Sequence, residues 1–293
     1  MPNEAAQLFM SKRSKEEILN YLLLFGGIPK YLEEINLNQS LRQNMNRLCF
    51  NPKGFIFNEP EKIFFQQFNE ARSYLKIAKS LKDANYTFKE ISKKANISYG
   101  GGLKKYLDNL EKAQIVSSYN SFDAKLNSKT RKYALTDELL VFYYKFIEPN
   151  KASIKKQLSN KLFESLCESK WKPLLGYAFE RFCLKNAAYL AKIMGFSDDV
   201  VACAPYFGKN GAKFQIDLVF KRADKVITIC EIKYHDNQIG TQVIKEVMKK
   251  TEQFPLPKGY SLETALISVH GANKALKDSG YFHHMITVSD LIT

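Results

Sequence analysis

The stretch that decides the fold is Lys213-Phe-Gln-Ile-Asp217-Leu-Val-Phe-Lys221-Arg-Ala-Asp-Lys225-Val-Ile-Thr-Ile-Cys-Glu231-Ile-Lys233-Tyr234. Two runs rich in Ile, Val and Phe flank a short polar segment, which is the pattern of a β-hairpin. Because side chains alternate across a strand, Glu231 and Lys233 are expected to project from the same face. Charged groups on such apolar strands are costly to bury unless something compensates them. The hairpin is therefore expected to carry a functional site, the alternative being a scaffold that holds a buried ion pair.

The residue types of this hairpin point to a divalent metal ion. Asp217 lies in the middle of the first strand, again among apolar residues, so two carboxylates and a lysine converge. Hard cations take carboxylate oxygens, main-chain carbonyls and water. We therefore expect Asp217, Glu231 and the carbonyl of Ile232 to bind Mg²⁺ or Mn²⁺. Lys233 would orient or activate water, or neutralise charge on a phosphate, as in metal-assisted phosphodiester hydrolysis.

This hypothesis depends on how the two strands are paired. A two-residue turn at Ala223-Asp224 would pair Asp217 with Cys230 and aim the aspartate away from Glu231 and Lys233. The metal hypothesis therefore requires a loop of odd length or a β-bulge near Asp217.

A third acid comes from a separate segment. Glu180 lies in Leu175-Gly-Tyr-Ala-Phe-Glu-Arg-Phe-Cys, which has the pattern of an amphipathic helix. On the buried side of that helix it would join the site as a further catalytic carboxylate. On the outer side it would be a surface glutamate paired with Lys or Arg.

Composition restricts the class of protein and its partners. Lys and Arg number 44 against 30 Asp and Glu, a net charge of +14, which favours a polyanion such as DNA unless it reflects solubility or a basic proteome. The five cysteines lack CxxC spacing, so reduced thiols of the cytoplasm are expected rather than a zinc site or disulfides. No apolar run is long enough to cross a bilayer and no secretion signal is recognisable, which predicts a soluble cytoplasmic protein without a membrane partner.

Hydrophobic periodicity divides the chain into three segments of a mixed α/β fold: 1–58, 59–150 and 151–293. The first is helical, with a predicted helix at Lys15–Phe25. The third alternates helices and strands, with helix over most of Trp171–Met194, the hairpin, a helix at Thr241–Gln253, and short strands at Thr264–Val269 and Met285–Val288.

The middle segment has the pattern of a winged helix-turn-helix. Helices are predicted at Glu61–Leu81, Phe88–Ala95 and Leu103–Ala113, followed by two short strands around a polar tip. Its basic residues are predicted to bind DNA, although a winged helix can also dock protein. They are Lys104, Lys105 and Lys112 on the third helix, and Lys125, Lys129, Arg131 and Lys132 at the tip.

The order Glu180, Asp217 and Glu231-Ile-Lys233 resembles the PD-(D/E)XK nuclease superfamily. The chain is also similar to the C-terminal part of archaeal-type AAA-superfamily ATPases. That likeness rests on the hairpin and on four further segments: Gly26–Leu32, Tyr133–Ile147, Ala265–Ser268 and His284–Ile292. The resemblance implies a helical remnant of the ATPase module, a winged helix and a restriction-endonuclease-like domain.

The departure from that family concerns ATP. Its members begin with a P-loop ATPase domain, whereas no Walker motif is recognisable here, and Gly100-Gly101-Gly102 does not match GxxxxGK[ST]. We therefore expect no ATP site and no ATPase activity in this chain, which resembles the tail of such an ATPase from a split or truncated gene. The first hypothesis is a DNA-binding protein with a metal-dependent nuclease-type domain. The alternative is a non-catalytic DNA-binding or interaction module that acts with a separate P-loop ATPase chain.

Overall fold

The computed structural model describes residues 4, 9, 12–119, 122, 131–156, 161–208 and 214–292. Its fold is mixed α/β, as the sequence predicts. Its contacts divide the chain into two compact units, the first formed mainly by residues 3–119 and 126–171 and the second mainly by 120–125 and 172–293. The boundaries predicted at residues 58 and 150 stay predictions. Within the described ranges, no helix is both long and apolar enough to cross a membrane.

The first unit begins with short helices: α1 Lys15–Phe25, α2 Pro29–Glu33, α3 Leu41–Leu48, α4 Glu59–Gln67 and α5 Ala71–Ser80. The predicted bounds of α1 are confirmed, since Ser14 caps its start and Gly26, with φ of 67°, ends it. The prediction of a single helix over Glu61–Leu81 is wrong. The chain is extended at Phe68, whose ring stacks on that of Tyr74 with centroids 4.0 Å apart. Aromatic packing overrides the helical periodicity at this point.

A winged helix-turn-helix follows in the same unit. Its elements are β1 Tyr86–Thr87, α6 Phe88–Ala95, α7 Gly101–Lys112, β2 Val116–Tyr119 and β3 Lys132–Leu135, and the strands form an antiparallel sheet in the order β1-β3-β2. Thr87 and Glu90 form the capping box expected at the start of α6. Helix α7 starts two residues before its predicted start, because Gly101 and Gly102 belong to its first turn and not to a loop. The unit continues through α8 Glu138–Phe142, a π-helix Tyr143–Ile147, a 3₁₀ turn Glu148–Asn150 and α9 Lys151–Lys156.

The second unit is built around a five-stranded sheet. The long helix α10 Leu162–Lys185 leads into it, followed by α11 Ala187–Ile193, a 3₁₀ turn Ser197–Asp199, β4 Val200–Gly208, β5 Phe214–Arg222, β6 Val226–Lys233, α12 Gln242–Gln253, β7 Ser261–Ser268, α13 Lys274–Asp278, β8 His284–Thr287 and α14 Val288–Leu291. The strand order is β4-β5-β6-β7-β8. The pairs β4–β5 and β5–β6 are antiparallel, whereas the pairs β6–β7 and β7–β8 are parallel. Strand β6 is central and pairs with a neighbour on each side, and the residues between its two ends are buried.

Strand β4 has no counterpart in the sequence prediction. It lies at the edge of the sheet, and its first half is largely exposed, so its burial pattern does not alternate cleanly. It also contains Pro205, which an edge strand tolerates but which weakens any prediction of a strand. Its pairing with β5 covers the outer side of the hairpin.

Candidate functional site

The register of the hairpin brings Asp217 opposite Glu231. The ladder pairs Lys221 with Ile227 and Leu218 with Cys230, so the next position along it pairs Asp217 with Glu231. The loop between β5 and β6 has three residues, 223–225, and its last residue, Lys225, is left-handed with φ of 62°. Three-residue hairpin loops characteristically end in such a residue. The loop therefore has the odd length that the metal hypothesis requires.

Asp217 is held in place by the main chain of the neighbouring strand. Its Oδ2 accepts a hydrogen bond of 3.0 Å from the N–H of Ile232, beyond the last paired residues of the ladder. The side chain is 9% exposed. Burial, followed by the negative charge of Glu231, raises the pKa of Asp217 to about 6, against the lowering effects of Lys250, the Ile232 N–H and Lys233.

Glu231 is the most deeply buried acid of the group, at 2% exposure. Its Oε1 lies 2.9 Å from the Nζ of Lys233, and its Oε2 lies 2.5 Å from the Nζ of Lys250. A second carboxylate, Glu246 on α12, accepts a hydrogen bond of 2.9 Å from Lys233. Although burial lowers the pKa of Lys233, the charges of Glu231 and Glu246 outweigh it and raise that pKa overall. The ammonium group is therefore stabilised in its charged form.

Glu180 lies within electrostatic range of both strand carboxylates. It comes from α10, whose neighbouring side chains Phe179 and Cys183 are buried. Burial, then the charges of Asp217 and Glu231, raise the pKa of Glu180 to about 7. The charges of Asp217 and Glu231 therefore act on Glu180, and its membership of the site stays a prediction.

Lys250 is the site residue that the sequence interpretation missed. It lies on α12 in register with buried Val243, Val247 and Phe254, at spacings of seven, three and four residues. A lysine on the apolar stripe of a helix was a readable signal, because that stripe faces the core. It was missed because it became informative only once α12 was known to cover the face of the sheet that carries Glu231.

The donor chemistry of this group fits a hard divalent cation. Burial, followed by the charges of the neighbouring carboxylates, raises the pKa of both Asp217 and Glu180, and a bound cation would offset that cost of ionisation. In the parts of the chain that the structure describes, however, no group of three or more His, Cys, Asp or Glu side chains is arranged to hold a metal ion. Both oxygens of Glu231 contact ammonium groups, and one oxygen of Asp217 accepts a hydrogen bond from an amide.

The predicted DNA-binding residues of the winged helix are exposed where the structure describes them. Helix α7 buries Leu103, Leu107 and Leu110 on one face and presents its lysines on the other. The exposed residues of the predicted set are Lys104, Lys105, Lys112, Arg131 and Lys132. Arg131 donates to Ser118 Oγ and reaches Glu111 at 3.3 Å, so its guanidinium is fixed beside β2. Lys125 and Lys129 lie outside the described residues.

Two comparisons with known proteins cover the part of the chain that contains the candidate site. Residues 143–250 match the family model DUF234, described as archaea bacterial proteins of unknown function. The matched segment begins at the π-helix and ends at Lys250. It contains Glu180, Asp217, Glu231, Lys233 and Lys250. The chain is also 23% identical, over 231 residues, to an uncharacterized protein of Methanocaldococcus jannaschii, covering 78% of this chain. It spans 50% of the length of that relative.

Proposed function

We propose that this protein binds DNA and that its second unit hydrolyses phosphodiester bonds with the help of Mg²⁺ or Mn²⁺. The observation that carries the proposal is the register that sets Asp217 opposite Glu231 on the strand that also bears Lys233. We assign Glu180 to the same site as a third carboxylate, because burial, followed by the charges of Asp217 and Glu231, raises its pKa. Carboxylates gathered in this way, with an ammonium group beside them, are suited to metal-assisted attack on a phosphate.

Asp217, Glu231 and the Ile232 carbonyl would hold the cation, which when bound supplies Lewis-acid activation of a phosphate oxygen and of water. The raised pKa of Lys233 assigns that residue the neutralisation of phosphate charge, because a stabilised ammonium is a poor base. Glu180 has a pKa of about 7 and can accept a proton from water near neutral pH. The hydrogen bond from Ile232 fixes the orientation of Asp217.

The winged helix would supply affinity for the duplex. Helix α7 presents exposed Lys104, Lys105 and Lys112, and a net charge of +14 favours a polyanionic partner. Phosphate contacts from lysines fix position on DNA without reading bases. A binding mode of this kind predicts strong dependence on salt and weak dependence on sequence.

Plasmid cleavage tests the proposal. Purified protein is incubated with supercoiled plasmid in Mg²⁺, in Mn²⁺ and in EDTA, and nicked and linear products are measured. Asp217→Asn and Lys233→Met are expected to lose cleavage, whereas Asp278→Asn and Lys249→Met, at exposed positions of α13 and α12, keep it. Intact plasmid together with salt-sensitive retention in a gel shift would instead indicate a non-catalytic DNA-binding module, working with an ATPase on another chain.

A further inference from the structure

We infer that Lys250 competes with the divalent cation for Glu231 and, once displaced, contacts the phosphate of the substrate. This inference rests on the proposed function, because it assigns a role within the same site. It concerns which positive group contacts Glu231, and it does not depend on whether the cation is Mg²⁺ or Mn²⁺. The two lysines of the site thereby have different roles.

The contacts distinguish the two lysines. Lys250 Nζ lies 2.5 Å from Glu231 Oε2, and its side chain is 20% exposed. Lys233 Nζ lies 2.9 Å from Glu231 Oε1 and equally close to Glu246 Oε2. Lys233 is thus anchored by a second carboxylate that a cation at Glu231 leaves untouched. Lys250 pairs with Glu231 itself, so its ammonium group is the one that loses its carboxylate contact when another cation takes that oxygen.

Electrostatic repulsion prevents the Lys250 ammonium group and a divalent cation from contacting the same oxygen of Glu231. A divalent cation bound to Glu231 Oε2 would lie within a few ångströms of the Lys250 ammonium group, and like charges at that distance repel strongly in a buried site. Glu231 Oε2 can contact the ammonium group or the cation, but not both at once. A cation held by Glu231 would therefore have to displace the Lys250 ammonium group from that oxygen.

The placement of Lys250 on α12 keeps the displaced group within the site. Along the helix face, Lys250 falls three residues after Val247 and four before Phe254, and both of these residues are buried. Four methylene groups and a packed stem let a lysine head move while its base stays fixed. The head can then meet the negative charge of a phosphate bound to the same cation.

Calorimetric titration with Mn²⁺ of the full chain tests this inference. Lys250→Met is expected to bind Mn²⁺ at least tenfold more tightly than the wild type, because the competing charge is gone, while plasmid cleavage falls. Lys249→Met, the neighbouring exposed lysine, is expected to bind as the wild type does. Lys250→Arg keeps the charge and is expected to bind no more tightly than the wild type. It also serves as the folded reference if the methionine variant melts early.

Equal or weaker Mn²⁺ binding by Lys250→Met than by Lys249→Met overturns the inference. If neither the wild type nor Lys250→Met binds Mn²⁺, both the inference and the metal site are wrong. If Lys250→Met binds more tightly but no variant cleaves DNA, the competition is established and the nuclease function fails. These outcomes separate the two claims.

Discussion

Asp217 lies opposite Glu231 one position beyond the last pair of the β5–β6 ladder, where the Asp217 carboxylate accepts a hydrogen bond of 3.0 Å from the Ile232 N–H. The side chain replaces a main-chain acceptor at the point where the ladder ends. Two buried carboxylates are thereby kept side by side despite their repulsion, which requires a fixed backbone. The following predictions test how this arrangement is held and what it does.

The first prediction concerns the hydrogen bond to Ile232. Asp217→Asn keeps an oxygen acceptor and removes a buried charge, whereas Asp217→Ala also leaves the N–H without its acceptor. We expect the alanine variant to be less stable than the asparagine variant by about 1–3 kcal/mol, the cost of an unsatisfied buried donor. Urea denaturation at pH 8 measures the difference. Equal stability of the two variants would show that the hydrogen bond contributes little.

The second prediction concerns the hairpin loop. Lys225 has φ of 62°, a conformation that glycine adopts without strain. Lys225→Gly is expected to raise the free energy of unfolding by about 0.5–1 kcal/mol, and Lys225→Val to lower it by a similar amount, since a β-branched residue is strained there. Thermal and urea denaturation provide the measurement. A valine variant as stable as the wild type would contradict the assigned loop geometry.

The third prediction concerns pH. The folded-state pKa of Glu180 is raised to about 7, so the folded protein binds a proton there that the unfolded chain has released. The associated stability is complete below the ordinary carboxyl pKa and is lost as pH rises through 7. Glu180→Gln is therefore expected to be more stable than the wild type at pH 8, by about 1–2 kcal/mol after allowance for partial exposure, but not at pH 4.5.

Adding Mg²⁺ provides a control for the comparison of the wild type with Glu180→Gln. A divalent cation relieves the repulsion among the carboxylates, so 10 mM Mg²⁺, about the concentration that a weak site requires, should stabilise the wild type and narrow its gap from Glu180→Gln at pH 8. Glu252→Gln on α12 is the matched variant at an exposed position. A gap that is independent of pH would place Glu180 outside the cluster.

The fourth prediction concerns DNA binding by α7. Lys104→Gln and Lys105→Gln should each lower affinity for duplexes of any sequence and reduce the slope of log affinity against log salt by about one. Lys62→Gln, an exposed lysine of α4, is the matched control. Fluorescence anisotropy over a range of salt concentrations measures both quantities. Unchanged slopes in the α7 variants would favour a winged helix that docks protein.

Much of the fold was predictable because local signals and tertiary packing agree. The capping box of Thr87 and Glu90, the apolar stripe of α7 and the alternation in β5 and β6 all specify the observed elements. The local sequence signals failed where contacts between residues distant in sequence determine the backbone conformation. Phe68 leaves the helix to stack on Tyr74, and β4 forms as a partly exposed edge strand through its pairing with β5.

The geometry around the candidate site could be predicted only in part from the sequence. Alternation alone places Glu231 beside Lys233, whereas the position of Asp217 depends on a three-residue loop whose length no local pattern specifies. Lys250 required knowledge of which face of the sheet α12 covers. Such pairings depend on contacts distant in sequence, which periodicity does not report.

The most direct measurement is plasmid cleavage as a function of Mn²⁺ concentration, compared with the Mn²⁺ affinity from calorimetry, for the wild type and Asp217→Asn. We predict that wild-type cleavage rises with Mn²⁺ and saturates at the concentration that fills the site, and that Asp217→Asn neither binds Mn²⁺ nor cleaves. Cleavage that persists in EDTA, or that Asp217→Asn retains in full, would contradict a carboxylate–metal centre on this hairpin.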